Sequence, residues 1–241
     1  MNSRISQTLS LLLLCILFVA PQSLSAKKRP PAGGRIAIVV DERLSALRAT
    51  PEFSGALLRR MSRGGLVAIT GTRNSRDGVV FYRVNVTRRT SGWIQRDAVV
   101  SPTRAGDDAR LLQLIKGSED FDRIARARLF LDYFRLSQLR PEVLFTYALA
   151  AEESAIHLSR EASRRLDAGE MNAGGAPVFS YFFNYNGLDR YNRQGITFLF
   201  DAREKRFRYD GEAWRELVHR YPNSPQAAEA RKRLEGTALS R

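Results

Sequence analysis

The stretch RRTSGWIQRDAVV runs from Arg88 to Val100. Turn-forming residues lead straight into Trp93 and Ile94, a polar interval follows, and Ala98, Val99 and Val100 close the run. An aromatic beside a β-branched residue, entered through Ser and Gly, predicts a short strand. Upstream, RIAIVV (35–40), ALLRRM (56–61), LVAIT (66–70) and VVFYRVNV (79–86) have the same character. Between them stand TPEFSG, SRGG, TRNSRDG and RRTSG, all turn chemistry. With GWIQ these make five short strands within residues 35–102, the pattern of a small barrel. In VVFYRVNV, Tyr82, Val84 and Val86 share one face and Arg83 and Asn85 the other. On this reading Gly92 eases a turn and Trp93 fills core, with an outer edge of its ring open to a ligand.

These runs resemble the bacterial SH3-like (SH3b) domain. The residues that carry the resemblance are SALRATP (45–51), RGGLVAI (63–69), FYRV (81–84) and GWIQRDAVV (92–100), in the family's order and spacing. The family's usual aromatic in the third motif is Trp, and here it is Phe81. The resemblance implies an SH3-like barrel over 35–102 that binds peptidoglycan or peptide. Phe81, Tyr82 and Trp93 are its candidate aromatic contacts. Arg59, Arg60, Arg63, Arg88 and Arg89, around predicted turns, are a candidate anion-binding face; scattered solvated arginines are the simpler reading.

Charge and the N-terminus set the expected compartment. The chain carries a formal +14 over 241 residues. Residues 35–102 hold twelve arginines against five acids, whereas 103–241 are near balance. A basic module attracts anionic envelope polymers, anionic headgroups or acidic proteins. Arg4 precedes an apolar run, Leu9–Ala20, which ends in Pro21 and QSLSA. That is a secretory signal peptide, residues 1–26, with cleavage expected after Ala26. The run is short of the roughly 20 residues of a spanning helix, so no permanent span is expected. A retained anchor is the weaker alternative. Leu14 before Cys15 argues against lipidation, and Cys15 is the chain's sole cysteine. An exported chain without disulfides suits a bacterial envelope, periplasmic or extracellular, better than a small secreted eukaryotic domain. Nucleic acid fits the charge but not the export signal. KKRPPAGG (27–34) is a basic Pro/Gly linker.

After Pro102 the patterning becomes helical. DDARLLQLIKGSED opens on acids, as first turns favour. SEDFDRIARARLFLDYFRLSQL is amphipathic. Pro141 opens PEVLFTYALAAEESAIHLSREASRRL, which pairs with it as an antiparallel hairpin. DAGEMNAGGAP (167–177) is a break. Residues 178–210 admit two readings: a helix followed by a hairpin, from alternation at Ile196, Phe198, Phe200, Phe207 and Tyr209, or helix through DAREKRF. In the last segment Asp210 and Ser224 are expected caps and Gly236 a helix end. This segment resembles the tetratricopeptide-like repeats of bacterial envelope proteins through Trp214, Leu217, Tyr221, Pro222, Ser224, Ala227, Ala230 and Leu234. ARLFLDYFRLSQLRPEVLFTYALAAEESA (127–155) looks like a more divergent pair, with Ala148 and Ala151 as small packing residues. Two pairs fall short of the three repeats a solenoid needs. The resemblance implies that this region, 103–241, binds a protein partner.

Catalytic chemistry finds little footing. Without Cys after position 26 there is no thiol nucleophile. His157 and His219 each lack a second histidine nearby in sequence, and solvated helix faces explain them. Acid pairs Glu152–Glu153, Asp107–Asp108 and Glu119–Asp120–Asp122 sit where helix starts and charge runs account for them. The cluster Phe179, Tyr181, Phe182, Phe183, Tyr185 and Tyr191 reads as core before ligand surface. The expectation is an α+β chain of two domains, an SH3-like barrel followed by an all-α tetratricopeptide-like domain. It is expected to be a non-enzymatic binding or scaffold protein without cofactor. The rivals are a cell-wall enzyme with an unrecognised site and an electrostatic binder of anionic polymers.

Overall fold

The computed structural model describes residues 33–238. The expected signal peptide, and the linker up to residue 32, lie outside the described residues. The chain is mixed α and β. Seven strands come first: β1 (Arg35–Val39), β2 (Ala46–Arg48), β3 (Leu57–Arg60), β4 (Leu66–Asn74), β5 (Val80–Asn85), β6 (Ser91–Gln95) and β7 (Val99–Val100). They form one antiparallel sheet in the order β3-β2-β6-β5-β4-β1-β7. One of them, β2, exceeds the expected strands, and β7 falls in the Ala98–Val100 run expected to close the sheet after Trp93. Strand β4 also runs on to Asn74, into what the sequence presents as loop.

The sheet is curled but open. Met61 shows the curl. Its N–H donates to Ser45 O (3.1 Å) and its carbonyl accepts from Ser45 Oγ (2.5 Å), just before β2. Its Cε also borders the same small space beside Gly65 as Val39 Cγ2 of β1. In a flat sheet β2 and β1, four places apart, would lie about 19 Å from each other. The inner face gathers Ala37, Val39, Leu47, Met61, Val67, Ile69, Tyr82, Val84, Ile94, Ala98 and Val99 into one core. The edge strands β3 and β7 do not pair.

Gly92 belongs to this curl rather than to a turn. It lies inside β6 opposite Val84. A Cβ there would come within 2.8 Å of Leu47 Cγ and 2.9 Å of the Arg48 carbonyl oxygen. The Gly before the Trp therefore lets β2 pass close over β6. Gly92→Ala is expected to destabilise the fold by about 1–3 kcal/mol through overpacking against backbone. A urea melt unchanged within about 0.5 kcal/mol would show that β2 can move aside freely.

The helices follow: α1 (Asp107–Lys116), α2 (Asp120–Tyr133), α3 (Arg140–Arg165), α4 (Ala168–Gly174), α5 (Val178–Phe183) and α6 (Asp189–Asn192). A hairpin of β8 (Phe198–Asp201) and β9 (Arg206–Tyr209) precedes α7 (Glu212–Arg220) and α8 (Pro225–Ala238). The hairpin decides the open reading of 178–210. Within DAREKRF, residues 202–205 are a turn because the Asp201 carboxylate accepts the N–H groups of Arg203 and Glu204, each at 3.0 Å, an Asx-type turn. Phe207 N–H donates to Ser159 Oγ at 2.7 Å, which ties β9 to α3. Two capping expectations change: Gly211 is the N-cap of α7, with Asp210 accepting from Glu212 N–H at 3.0 Å, and α8 runs through Gly236.

The sheet and helices share hydrophobic core. Side chains on a strand alternate faces, and in β1 both faces are used. Ala37 and Val39 enter the sheet core, while Ile38, and Val40 just after the strand, enter the core they share with α1, α2 and α3. Val99 and Val100 divide in the same way. This two-sided burial is the cause of the unbroken apolar runs AIVV and AVV.

Candidate functional site

Trp93 is half-buried, whereas its neighbour Ile94 is fully buried in the sheet core. The alternation of β6 thus puts the indole on the outer face, which corrects the expectation of a core-filling Trp. Register places Trp93 opposite Arg83 of β5 on one side and Arg48 of β2 on the other. Arg48 in turn lies opposite Leu57 of β3. Residues in register share a face, so Leu57, Arg48, Trp93 and Arg83 form a row across four strands. The guanidinium carbon of Arg73 stands 5.8 Å from the centroid of the indole, within cation–π range. Arg48 Nη1 donates to Gly55 O at 2.9 Å and so fixes the loop that carries Phe53. Phe53 is 48% exposed and lies edge-on to Phe81, with ring centroids 5.6 Å apart.

The other sequence-derived contacts separate. Phe81 and Tyr82 are both buried, on opposite faces of β5, and neither is open to a ligand. Phe81 is covered by Phe53, and the Tyr82 hydroxyl accepts from Arg104. Arg59 and Arg60 are exposed on the edge strand β3, and Arg88 and Arg89 are exposed in the β5–β6 turn. Arg63 is a strut: its Nη1 pairs with Asp122 Oδ1 of α2 at 2.9 Å, and its backbone N–H donates to Glu42 Oε1 at 2.8 Å. Arg63 therefore leaves the anion-binding set. The sequence missed Arg48, Arg73 and Arg83, because only strand register shows that they surround Trp93. The alternation in FYRVNV was the one available signal, and it placed Arg83 outward.

A second polar region lies where sheet meets helices. A cleft of about 560 Å³ is bordered by Glu42, Arg43, Arg63, Asp120, Asp122 and Arg190, among others. Beneath it Arg126 is buried: Nε donates to Val40 O at 3.1 Å and Nη1 to Ser118 Oγ at 2.7 Å, with Asp122 3.5 Å away. Burial lowers the pKa of Arg126, yet an arginine stays protonated. The hydrogen bond from Arg63 holds the Asp122 carboxyl below its ordinary value, as Arg43 does for Asp41. Asp41, Glu42 and Asp122 are matched by Arg43, Arg63 and Arg126, so this side of the cleft is an ion-pair network.

The remaining candidates are structural. Asp107 accepts from Ser101 N–H at 2.7 Å, Asp108 from Ser137 Oγ at 2.7 Å, and Glu153 pairs with Arg123 at 3.4 Å. Glu152 accepts from Trp214 Nε1 at 2.8 Å and pairs with Arg233 at 2.8 Å. His157 and His219 are exposed. Among the described residues there is no group of three or more His, Cys, Asp or Glu suited to a metal ion, and no helix long and apolar enough to cross a membrane. In the aromatic cluster Phe182, Tyr185 and Tyr191 are buried, whereas Phe179 and Phe183 are about half exposed. Burial also pushes the Tyr147 hydroxyl up to about 12, and that hydroxyl donates to Gln194 O at 2.8 Å.

In the last segment Trp214, Leu217, Ala227 and Ala230 are buried, Tyr221 and Leu234 pack at the rim, and Pro222 is exposed. No protein-family model, curated protein or solved structure matches the chain.

Proposed function

We propose that the chain is an exported, non-catalytic binding protein of the bacterial envelope. Its curled sheet is an SH3-like module whose outer face takes peptidoglycan or another carboxylate-bearing envelope ligand. Its α7–α8 pair is a tetratricopeptide-like hairpin that serves a protein partner. One observation carries the ligand reading: Trp93 lies half open between Arg48 and Arg83, with Arg73 over its ring. An aromatic platform rimmed by guanidinium groups suits a sugar or peptide face beside carboxylates. Supporting the export reading are the N-terminal apolar segment and the absence of cysteine after it.

Sedimentation with purified peptidoglycan sacculi tests this. The protein is expected to pellet with sacculi, and Trp93→Ala is expected to weaken retention about tenfold, the effect of losing roughly 1.4 kcal/mol of contact. Far-UV circular dichroism should be unchanged, because Trp93 lies outside the sheet core. Absence of co-sedimentation, or full retention of Trp93→Ala, would overturn the ligand reading. Cleared bands in a zymogram would replace it with an enzymatic one.

A further inference from the structure

The edge strand β3 has features that the binding reading leaves unused. It pairs with β2 on one side only. All four of its residues are exposed, with Leu57 at 51% and Leu58 at 50%. Arg59 and Arg60 make no side-chain hydrogen bond or ion pair among the described residues. An uncovered edge offers unpaired backbone N–H and C=O groups to another strand. Natural edges are blunted against indiscriminate pairing by shortness, bulges and charge. Strand β3 has all three: four residues, a register shift that leaves Leu58 without a partner on β2, and two arginines.

The order of its side chains selects the occupant. A second copy paired antiparallel through β3 would set Leu57 against Arg60 and Leu58 against Arg59 of the other copy. Four guanidinium groups would then crowd one short ladder, and parallel pairing would set Arg against Arg. Like charges across a ladder are unfavourable, and opposite charges favourable. The surrounding residues 35–102 are also strongly basic.

We propose that β3 accepts an extended acidic segment of another protein by antiparallel strand addition, the segment reading acid, acid, apolar, apolar from its N-terminus. The two acids then meet Arg60 and Arg59, and the two apolar residues meet Leu58 and Leu57. Main-chain hydrogen bonds supply affinity and the side-chain order supplies specificity. The proposal rests on the sheet being a binding module, and it assigns the edge to protein while the outer face around Trp93 serves the envelope ligand.

The probe is a blocked, fluorescent synthetic peptide with Glu-Glu-Val-Val at its centre, titrated against the full chain by anisotropy. Saturable binding is expected. Arg59→Glu together with Arg60→Glu should weaken it about tenfold or more, and a Lys-Lys-Val-Val peptide should regain affinity for that variant. N-methylation of alternate peptide nitrogens should also weaken binding about tenfold, because it removes ladder donors. No saturable binding, equal binding of the N-methylated peptide, or failure of the charge swap would overturn the proposal. So would concentration-dependent dimerisation abolished by the same double substitution, which would put a second copy on this edge. Trp93→Ala should leave peptide binding intact, and the double β3 variant should still sediment with sacculi, so failure of either reading is seen separately.

Discussion

Arg126→Ala is expected to destabilise the fold by about 3–5 kcal/mol, the range for breaking a buried charged cluster. The side chain is 6% exposed, and it bonds Val40 O of the sheet, Ser118 of the α1–α2 connection and Asp122 of its own helix. Truncation leaves the Val40 carbonyl and the Ser118 hydroxyl without the guanidinium that holds them at the floor of the cleft. It also opens a cavity between the two cores. Arg126→Met fills most of the volume but supplies no donor, so it should recover only part of the loss. Urea melts followed by far-UV circular dichroism measure the cost. A loss below about 1 kcal/mol for Arg126→Ala would show that water replaces the guanidinium and that the junction is soft.

The same variant bears on whether sheet and helices unfold together. Trp93 reports on the sheet and Trp214 on the helices, and the chain has only these two tryptophans. Ile38, Val40 and Val100 enter the helical core from β1 and β7, which favours a single cooperative transition in the parent. Separation of the fluorescence and dichroism transitions in Arg126→Ala would place the coupling at this junction.

Arg126 marks a limit of what the sequence can reveal. In RIARARLF it looks like the polar stripe of an amphipathic helix, and nothing local shows that a sheet carbonyl will meet it. Arg63 misleads in the same way: it sits in a turn-like SRGG but reaches α2, fifty-nine positions along the chain. Trp93 misleads too, because an aromatic in a strand says nothing of which face is core. Ile94 competes for the same layer and wins. By contrast, the strand runs, the α2–α3 hairpin, the change from β to α after Pro102 and the packing of Trp214 and Leu217 were legible. Each is written locally, in a period of two or 3.6 residues or in short apolar runs bounded by turn residues. The Arg48–Trp93–Arg83 row was not, because it depends on register between strands distant in sequence. The two-faced burial of β1 had a signal, an unbroken AIVV, which reads equally as an ordinary buried strand.

Trp214→Ala is expected to be comparably severe, about 3–5 kcal/mol. The indole is 2% exposed, lies edge-on to Phe145 of α3 with ring centroids 5.4 Å apart, and donates to Glu152 of the same helix. It is thus the main peg that fixes α7, and through α7 the helix α8, to α3. Trp214→Phe keeps an aromatic in the layer and loses the N–H, so a smaller cost of about 1–2 kcal/mol is expected. Glu152→Gln keeps an acceptor for the indole and weakens only the pair with Arg233, whose side chain is 42% exposed; partly exposed pairs contribute about 0–1 kcal/mol. The order Ala, then Phe, then Gln assigns the docking of this hairpin to buried aromatic surface rather than charge. If Glu152→Gln were as damaging as Trp214→Ala, the ion pair would be the peg and the Trp only its cover. Because Trp214 is far in sequence from β6 and in a different core from Ile94, Trp214→Phe should leave sacculus binding by the Trp93 face unchanged. Loss of that binding would mean that the last helical pair, not the sheet, holds the ligand.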